Sequence, residues 1–277
     1  MTIYRLLAFH VAPTLLIFIA TCAHAASNDK RSNAFSMRFL DVPFSLGEEQ
    51  IPRGSVNIKG LINAMDLARI GQRSEFEKTE EYEQRVQKFR FAGNISVESL
   101  IFFAQPLKNN RYCRTTYLAD SEEYALTCDY DTSFGEVDDA LMALRIEGIS
   151  QDLGTYVATN GFNKKVTIRR GAVQRWSVRI GTFRAVNAVS IDDKIPISRS
   201  QAAGIKSRMM IGYVLEPIAP FFVKRVWRSE PSTEFPTDFM VTERGLVAKI
   251  KEIWVFDSET AEVHKKYDIK DYTSIYR

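Results

Sequence analysis

Two cysteines and one histidine are the reactive side chains that remain beyond the first 25 residues of this 277-residue chain. Cys113 and Cys128 flank a polar tip, and His264 lies near the C-terminus. A redox pair usually has Cys-x-x-Cys spacing, and a zinc site needs three or four ligands. The inventory therefore favours a structural disulfide, and we expect neither a metal site nor a cofactor.

Residues 111–131 predict a hairpin that turns at Asp120-Ser121. In this register Cys113 faces Cys128, and Tyr117 faces Tyr124. Directly opposed residues of antiparallel strands have Cα atoms about 5.5 Å apart or less, a separation that a disulfide can bridge. We predict a Cys113–Cys128 bond that stabilises the fold by roughly 3 kcal/mol through closure of a short loop.

The remaining side chains give little indication of a catalytic site. His264 would have to serve any Ser-His-Asp or Cys-His site, and no Gly-x-Ser-x-Gly, Gly-rich phosphate loop or His-Glu-x-x-His motif accompanies it. A carboxylate pair of the glycosidase type stays open, because its acids can come from distant positions. Trp176, Trp227 and Trp254 could line a sugar groove, although strand tryptophans usually belong to the core.

The acidic stretch 129-DYDTSFGEVDDA-140 resembles a calcium loop in its alternating oxygen side chains. Phe134 stands where an EF-hand requires Gly, and Ala140 stands where it requires Glu. A solvated acidic turn is the preferred interpretation, and a calcium-supported module is an alternative.

Charge is segregated along the chain, although the net charge is only +3. Residues 119–152 contain ten acids and one base, whereas residues 153–191 contain seven bases and no acid. The simple explanation is cross-strand pairing of opposite charges. The alternative is a basic face for an anionic envelope component, formed by same-parity residues of one long strand: Lys165, Arg169, Arg175 and Arg179. We expect no nucleic-acid partner.

The N-terminal 25 residues have the pattern of a secretory signal. Arg5 precedes the apolar stretch 6–20, and Ala23-His24-Ala25 fits a cleavage site. Cleavage would remove Cys22 and leave an even number of cysteines in an oxidising compartment. An uncleaved anchor and a lipid-carrying Cys22 are alternatives, but the apolar stretch is short for a membrane span. We predict a periplasmic or secreted protein with no transmembrane span after cleavage.

The elements that must position these residues are mostly strands. Alternation over 166–180, with Val166, Trp176 and Ile180 on one parity, predicts a long strand with a dry face and a bulge near Gly171. Helices are predicted near 60–70, over 79–90 and after Ser198. The fold class is therefore α+β, a predominantly antiparallel sheet with two or three short helices.

We divide the chain into a signal peptide (1–25), a flexible segment (26–54), an α+β domain with the stapled hairpin (55–191) and a smaller β-rich lobe (192–277). A proline-containing segment after Asp192-Asp193 motivates the last boundary. A single domain is the alternative.

The segment 75-EFEKTEEYEQRVQKF-89 resembles a motif of exported bacterial proteins of unknown function. The matching residues are Glu75, Phe76, Glu77, Thr79, Tyr82 and Arg85. The resemblance covers about a fifth of the chain, counting a looser match over 196–212, and implies a bacterial envelope origin. The alternative is structural: a capped surface helix with a Glu81–Arg85 ion pair would have the same residues.

Two hypotheses of function follow. The first is a non-enzymatic binding or scaffolding protein of the bacterial envelope, whose partner is an anionic component or another envelope protein. The second is a carboxylate-dependent hydrolase acting on an envelope glycan. The first predicts an exposed basic or aromatic face, and the second predicts two acids that converge in an open cleft.

Overall fold

The computed structural model describes residues 39–40, 42–45, 47–108, 110–129, 142–159, 161–180, 190–269 and 275–276. The signal sequence, Cys22 and most of the acidic stretch 129–140 lie outside these ranges. No helix among the described residues has the length and apolar character that crossing a bilayer would require.

Three helices and twelve strands make up the described fold. The helices are α1 (Ile58–Leu67), α2 (Thr79–Lys88) and α3 (Arg199–Ile205). The strands are β1 (Phe39–Leu40), β2 (Ser55–Val56), β3 (Ile101–Pro106), β4 (Cys113–Leu118), β5 (Glu123–Asp129), β6 (Met142–Thr159), β7 (Lys165–Ile180), β8 (Ser190–Pro196), β9 (Met209–Ser229), β10 (Thr237–Asp257), β11 (Val263–Asp268) and β12 (Ile275–Tyr276).

The main sheet is mixed, with the strand order β3-β9-β10-β7-β6 and with β11 paired to the end of β10. At its centre β10 runs parallel to β7, whereas β9 and β11 run antiparallel to β10. The prediction of a predominantly antiparallel sheet is therefore only partly right. A parallel pair needs a crossover connection, and the chain between β7 and β10 passes through the second sheet, α3 and β9 before it returns.

The two faces of the main sheet bury different clusters. On the core face, Trp176, Val178 and Ile180 of β7 pack in one cluster with Leu61 and Ile62 of α1. We call the other side the opposite face. Near β3 it buries the smaller cluster of Phe102, Trp254 and Phe256 under Phe44 and Ile51.

A second sheet, ordered β12-β8-β5-β4, carries the predicted hairpin. Cys113 pairs with Cys128 in the β4–β5 register, and Tyr117 pairs with Tyr124, as predicted. The disulfide is formed, with the two Cα atoms 4.0 Å apart, and both cysteines are buried in the large core. The hydroxyl of Tyr124 donates to the carbonyl of Ala202 at 2.8 Å, which attaches α3 to this sheet.

Both sheets combine strands from the two sides of residue 192. β7 pairs with β10 in the main sheet, and β8, which contains the proposed boundary, pairs with β5 in the second. Ile191 and Ile195 of β8 also share a core cluster with Val178 of β7 and Ile253 of β10. The segments 55–191 and 192–277 therefore share sheets and a hydrophobic core.

Candidate functional site

The four basic residues predicted to form one face lie at alternate positions of β7. Arg175 pairs with Glu243 of β10, and Arg179 pairs with Val247, so their side chains project from the opposite face of the main sheet. The environments of the four cations nevertheless differ along the strand.

Arg179 is enclosed in the protein. Its side chain is 9% exposed, and its Nη1 lies 3.2 Å from Oε1 of Glu243, which also accepts a 2.8 Å hydrogen bond from Ser177. Gly245 makes room for this arrangement, because a Cβ there would lie 2.7 Å from Cγ of Arg179. The charge of Arg179 is compensated within the fold.

Arg169 and Lys165 lie towards the outer end of β7, where both are exposed. Arg169 forms a 2.8 Å ion pair with Asp152, and both side chains of this pair are more than half exposed. Water screens such an exposed pair, so the contact with Asp152 leaves Arg169 accessible at the surface.

Arg175 is the cation of the four that contacts an exposed aromatic ring. Its guanidinium carbon lies over the ring of Trp227, 5.8 Å from the centroid. Glu243, its neighbour on β10, directs its carboxylate to Ser177 and Arg179. Burial, together with the neighbouring cations Arg145 and Arg111, lowers the pKa of the Arg175 guanidinium, and Glu243 opposes this shift.

Arg111, Arg145 and Arg175 form what we call the arginine cluster. Arg145 of β6 pairs with Ser177, two positions along β7 from Arg175, and therefore projects from the same face. Arg111 precedes β4, and the hydroxyl of the next residue, Tyr112, accepts a 3.0 Å hydrogen bond from the backbone N–H of Arg145. Within the described ranges none of the three guanidinium groups takes part in an ion pair.

Most cations near these long strands have a carboxylate partner. Arg228 binds Asp238 at 2.6 Å, Arg244 and Lys224 share Asp66 at 2.8 and 3.2 Å, and Lys59 binds Glu147 at 2.7 Å. The arginine cluster stands apart from this pattern. Among the described residues its positive charge has no carboxylate partner, which makes the arginine cluster a candidate site for an anion.

The three tryptophans occupy different environments. Trp176 and Trp254 are buried, and their indole N–H groups donate to Asn63 and Glu252 at 2.8 Å. Trp227 is 40% exposed on the opposite face, beside Arg175. Of the three, Trp227 alone lies where a ligand can contact it.

Buried carboxylates in the described part of the chain are held by cations. Asp257 binds Arg208 at 2.8 Å, and Glu252 binds Lys266 at 3.1 Å. Hydrogen bonds from Arg228 outweigh burial and lower the pKa of the Asp238 carboxyl. A glycosidase acid requires the reverse shift, a raised pKa. In the same ranges no group of three or more His, Cys, Asp or Glu side chains is arranged to hold a metal ion.

The Glu-Phe-Glu-x-Thr segment forms an internal clamp around Arg85. Its guanidinium donates to Glu77 at 2.6 and 2.8 Å and to the carbonyls of Ala68, Arg69 and Gln72, which follow α1. Glu81, the partner expected from i,i+4 spacing, instead accepts from the backbone N–H of Lys78. These contacts give most of the motif a structural role: they fasten α2 to the end of α1.

Comparison with known proteins gives no assignment: no family model, curated protein or solved structure matches the chain.

Sequence reasoning missed two members of the arginine cluster. Arg145 is the single base in an acidic stretch, and Arg111 precedes the first strand of the predicted hairpin, so the charge pattern of β7 pointed to neither. The one sequence feature that pointed to this site was Arg145, an isolated cation in an acidic stretch. The sequence did not give the register of its strand with β7, so Arg145 could not be placed beside Arg175.

Proposed function

We propose that this chain is an exported, non-enzymatic binding or scaffolding protein of the bacterial envelope, which holds an anionic polymer on the opposite face of its main sheet. The observation that carries the proposal is the arginine cluster, three cations without ion-pair partners in the described residues, beside the exposed Trp227. Charge of one sign on an open surface attracts polyanions.

Export is supported by two independent features. The N-terminal sequence has the pattern of a secretory signal, and the buried Cys113–Cys128 disulfide is a bond that persists in oxidising compartments. A polymer of the envelope carrying phosphate or carboxylate groups would be accessible there. Arginine suits such groups, since its planar guanidinium can bind them through two parallel hydrogen bonds.

The binding geometry supports a polymer better than a small anion. Arg145 lies on β6, Arg175 lies on β7, and Arg111 precedes β4. Lys165 and Arg169 continue the positive charge along β7. A repeating anion can contact several of these groups at once, and linked contacts strengthen binding without any single strong site.

Charge reversal tests the proposal. The double variant Arg145→Glu/Arg175→Glu should bind sodium polyphosphate or polygalacturonate at least about tenfold more weakly than the wild type in isothermal titration calorimetry at low salt. The matched control is the double variant Arg199→Glu/Lys206→Glu, which replaces two exposed cations of α3 and its C-terminal end. It changes the net charge by the same amount. Equal affinities of the two double variants, or no binding of either polymer by the wild type, would refute the proposed function.

A further inference from the structure

Trp227 is partly exposed beside the arginine cluster, and binding of an anion by charge alone would not require it. It belongs to β9 and projects from the same face as Val173 and Arg175, because β10 places Val241 between them in register. Its indole N–H donates to no acceptor among the described residues, unlike those of Trp176 and Trp254. An exposed indole with an unused donor offers both an apolar ring and a polar contact.

The surroundings of Trp227 are partly apolar. Val241, its direct neighbour on β10, is 5% exposed, and Phe239 lies across Gly171, where a Cβ would come within 2.1 Å of the ring. The ring of Phe239 therefore covers Gly171 on this face. Cations border the same area, with Arg175 over the indole.

Resting on the proposed function, we infer that the polymer is an acidic polysaccharide, one of whose sugar rings packs against Trp227 while its carboxylate or phosphate group binds Arg175. A pyranose ring has an apolar C–H face that matches an indole, and hydroxyl groups that can accept from its N–H. A polyanion without rings would use the arginine cluster and leave Trp227 without a role.

Single-stranded nucleic acid also stacks on aromatic rings, but it usually meets a row of platforms in a strongly basic groove. Here the described strands of the opposite face place one exposed indole beside the cluster, and the whole chain carries a net charge of only +3. These observations favour the saccharide.

Calorimetry with four probes tests the inference: polygalacturonate, its fully methyl-esterified form, sodium polyphosphate and a thymidine oligonucleotide. Wild-type protein should bind polygalacturonate most tightly and should lose at least about tenfold in affinity when the carboxylates are esterified. Trp227→Ala should weaken polygalacturonate binding about tenfold and leave polyphosphate binding within about twofold, whereas Trp227→Phe should retain most of the affinity. Phe235→Ala, which removes another exposed aromatic ring, is the control and should change neither.

Four possible results distinguish the saccharide inference from the proposed function. Polygalacturonate binding that depends on both Arg175 and Trp227 supports the saccharide inference. Polyphosphate binding that depends on Arg175, with polygalacturonate no tighter or indifferent to Trp227→Ala, overturns the inference and keeps the proposed function. Tighter, Trp227-dependent binding of the oligonucleotide overturns the inference in favour of nucleic acid. Binding of no probe, or binding indifferent to Arg175→Glu, overturns both, and circular dichroism confirms that each variant is folded.

Discussion

Arg175 and Arg179 lie four positions apart on the same face of β7. Of the two, only Arg175 has a charge that a ligand can reach. Arg179 lies beside Glu243 and Ser177 in a space left by Gly245, whereas Arg175 lies over the partly exposed Trp227. The alternation of side chains along β7 correctly predicts that both arginines lie on one face. It does not predict how deeply each arginine is buried, because residues of the neighbouring strand β10 determine the burial.

Arg85 should be a large contributor to stability among the surface arginines. Replacing it by Ala removes hydrogen bonds to three carbonyls after α1 and to Glu77, and we expect the free energy of unfolding to fall by about 2 kcal/mol. Arg90→Ala, which loses contacts only to nearby carbonyls of its own segment, should cost less than about 0.5 kcal/mol. Equal urea midpoints for the two variants would contradict the structural role of the clamp.

Asp238 should make stability depend on pH in the acid range. Hydrogen bonds from Arg228, opposed by burial, lower the pKa of Asp238, so its contribution is complete above the ordinary carboxyl value of about 4 and is lost as the pH falls through the lowered pKa. Asp238→Asn should therefore be less stable than the wild type at pH 7, and the two should converge as the pH falls towards 2.

Urea unfolding at pH 7, 4 and 2 measures this convergence. Glu98→Gln, at an exposed carboxyl that has no ion pair in the described residues, should follow the wild type at each pH. A constant difference between Asp238→Asn and the wild type across the three values would show that the Arg228 contact does not depend on ionisation of Asp238.

Among the elements, the β4–β5 hairpin was predictable in full and the long strands only in part. The hairpin depends on local pairing, and its register follows from the turn and the two cysteines. By contrast, the alternation of β9 indicates two short strands, 208–215 and 220–228, because Pro217 and Pro220 interrupt it. The structure continues the strand through an irregular pairing with β10 between Leu246 and Ala248, which accommodates both prolines.

The bulge predicted near Gly171 has a related explanation. β7 keeps a regular register with β10 through Gly171, and the extra residue lies on the partner strand β6, between Asp152 and Thr155. Gly154 has a positive φ of 86° in this bulge. One strand alone indicates an irregular pairing but cannot identify which partner carries it.

Removing the disulfide should destabilise the hairpin and the core that it joins. The bond closes a loop with a sequence separation of 15, so Cys113→Ala/Cys128→Ala should lower the free energy of unfolding by about 3 kcal/mol. Urea unfolding of oxidised wild type and of the double variant measures the difference. Wild-type protein treated with reductant should resemble the variant, and a loss below about 1 kcal/mol would contradict a stabilising role.

Gly71, in the connection between α1 and α2, should be hard to replace. It has a φ of 85°, and a Cβ there would lie 2.3 Å from the carbonyl oxygen of Phe222 in β9. Gly71→Ala should cost more than about 2 kcal/mol, because backbone strain and a backbone clash add. Gly93→Ala has a similar φ of 86° and no neighbour within 4 Å, so it should cost only about 1 kcal/mol. Equal thermal midpoints would contradict close docking of this connection on β9.

For the whole molecule, composition and alternation predicted the α+β class but not the order of the strands. β10 lies between β9 and β7, and its parallel contact with β7 joins segments separated by the second sheet. Local patterns contain no information on such long-range pairing, since each strand satisfies the same alternation in either direction. The same limit applied to the site, whose three arginines come from β6, β7 and the start of the hairpin.

The most direct test of the central claim is arginine footprinting with phenylglyoxal, quantified for each peptide by mass spectrometry with and without bound polygalacturonate or polyphosphate. The bound polymer should protect Arg111, Arg145 and Arg175, while Arg199 on α3 and Arg53 should react as in the free protein. Protection confined to other arginines, or unchanged modification of all three at a polymer concentration that saturates the protein, would show that the arginine cluster does not bind the polymer.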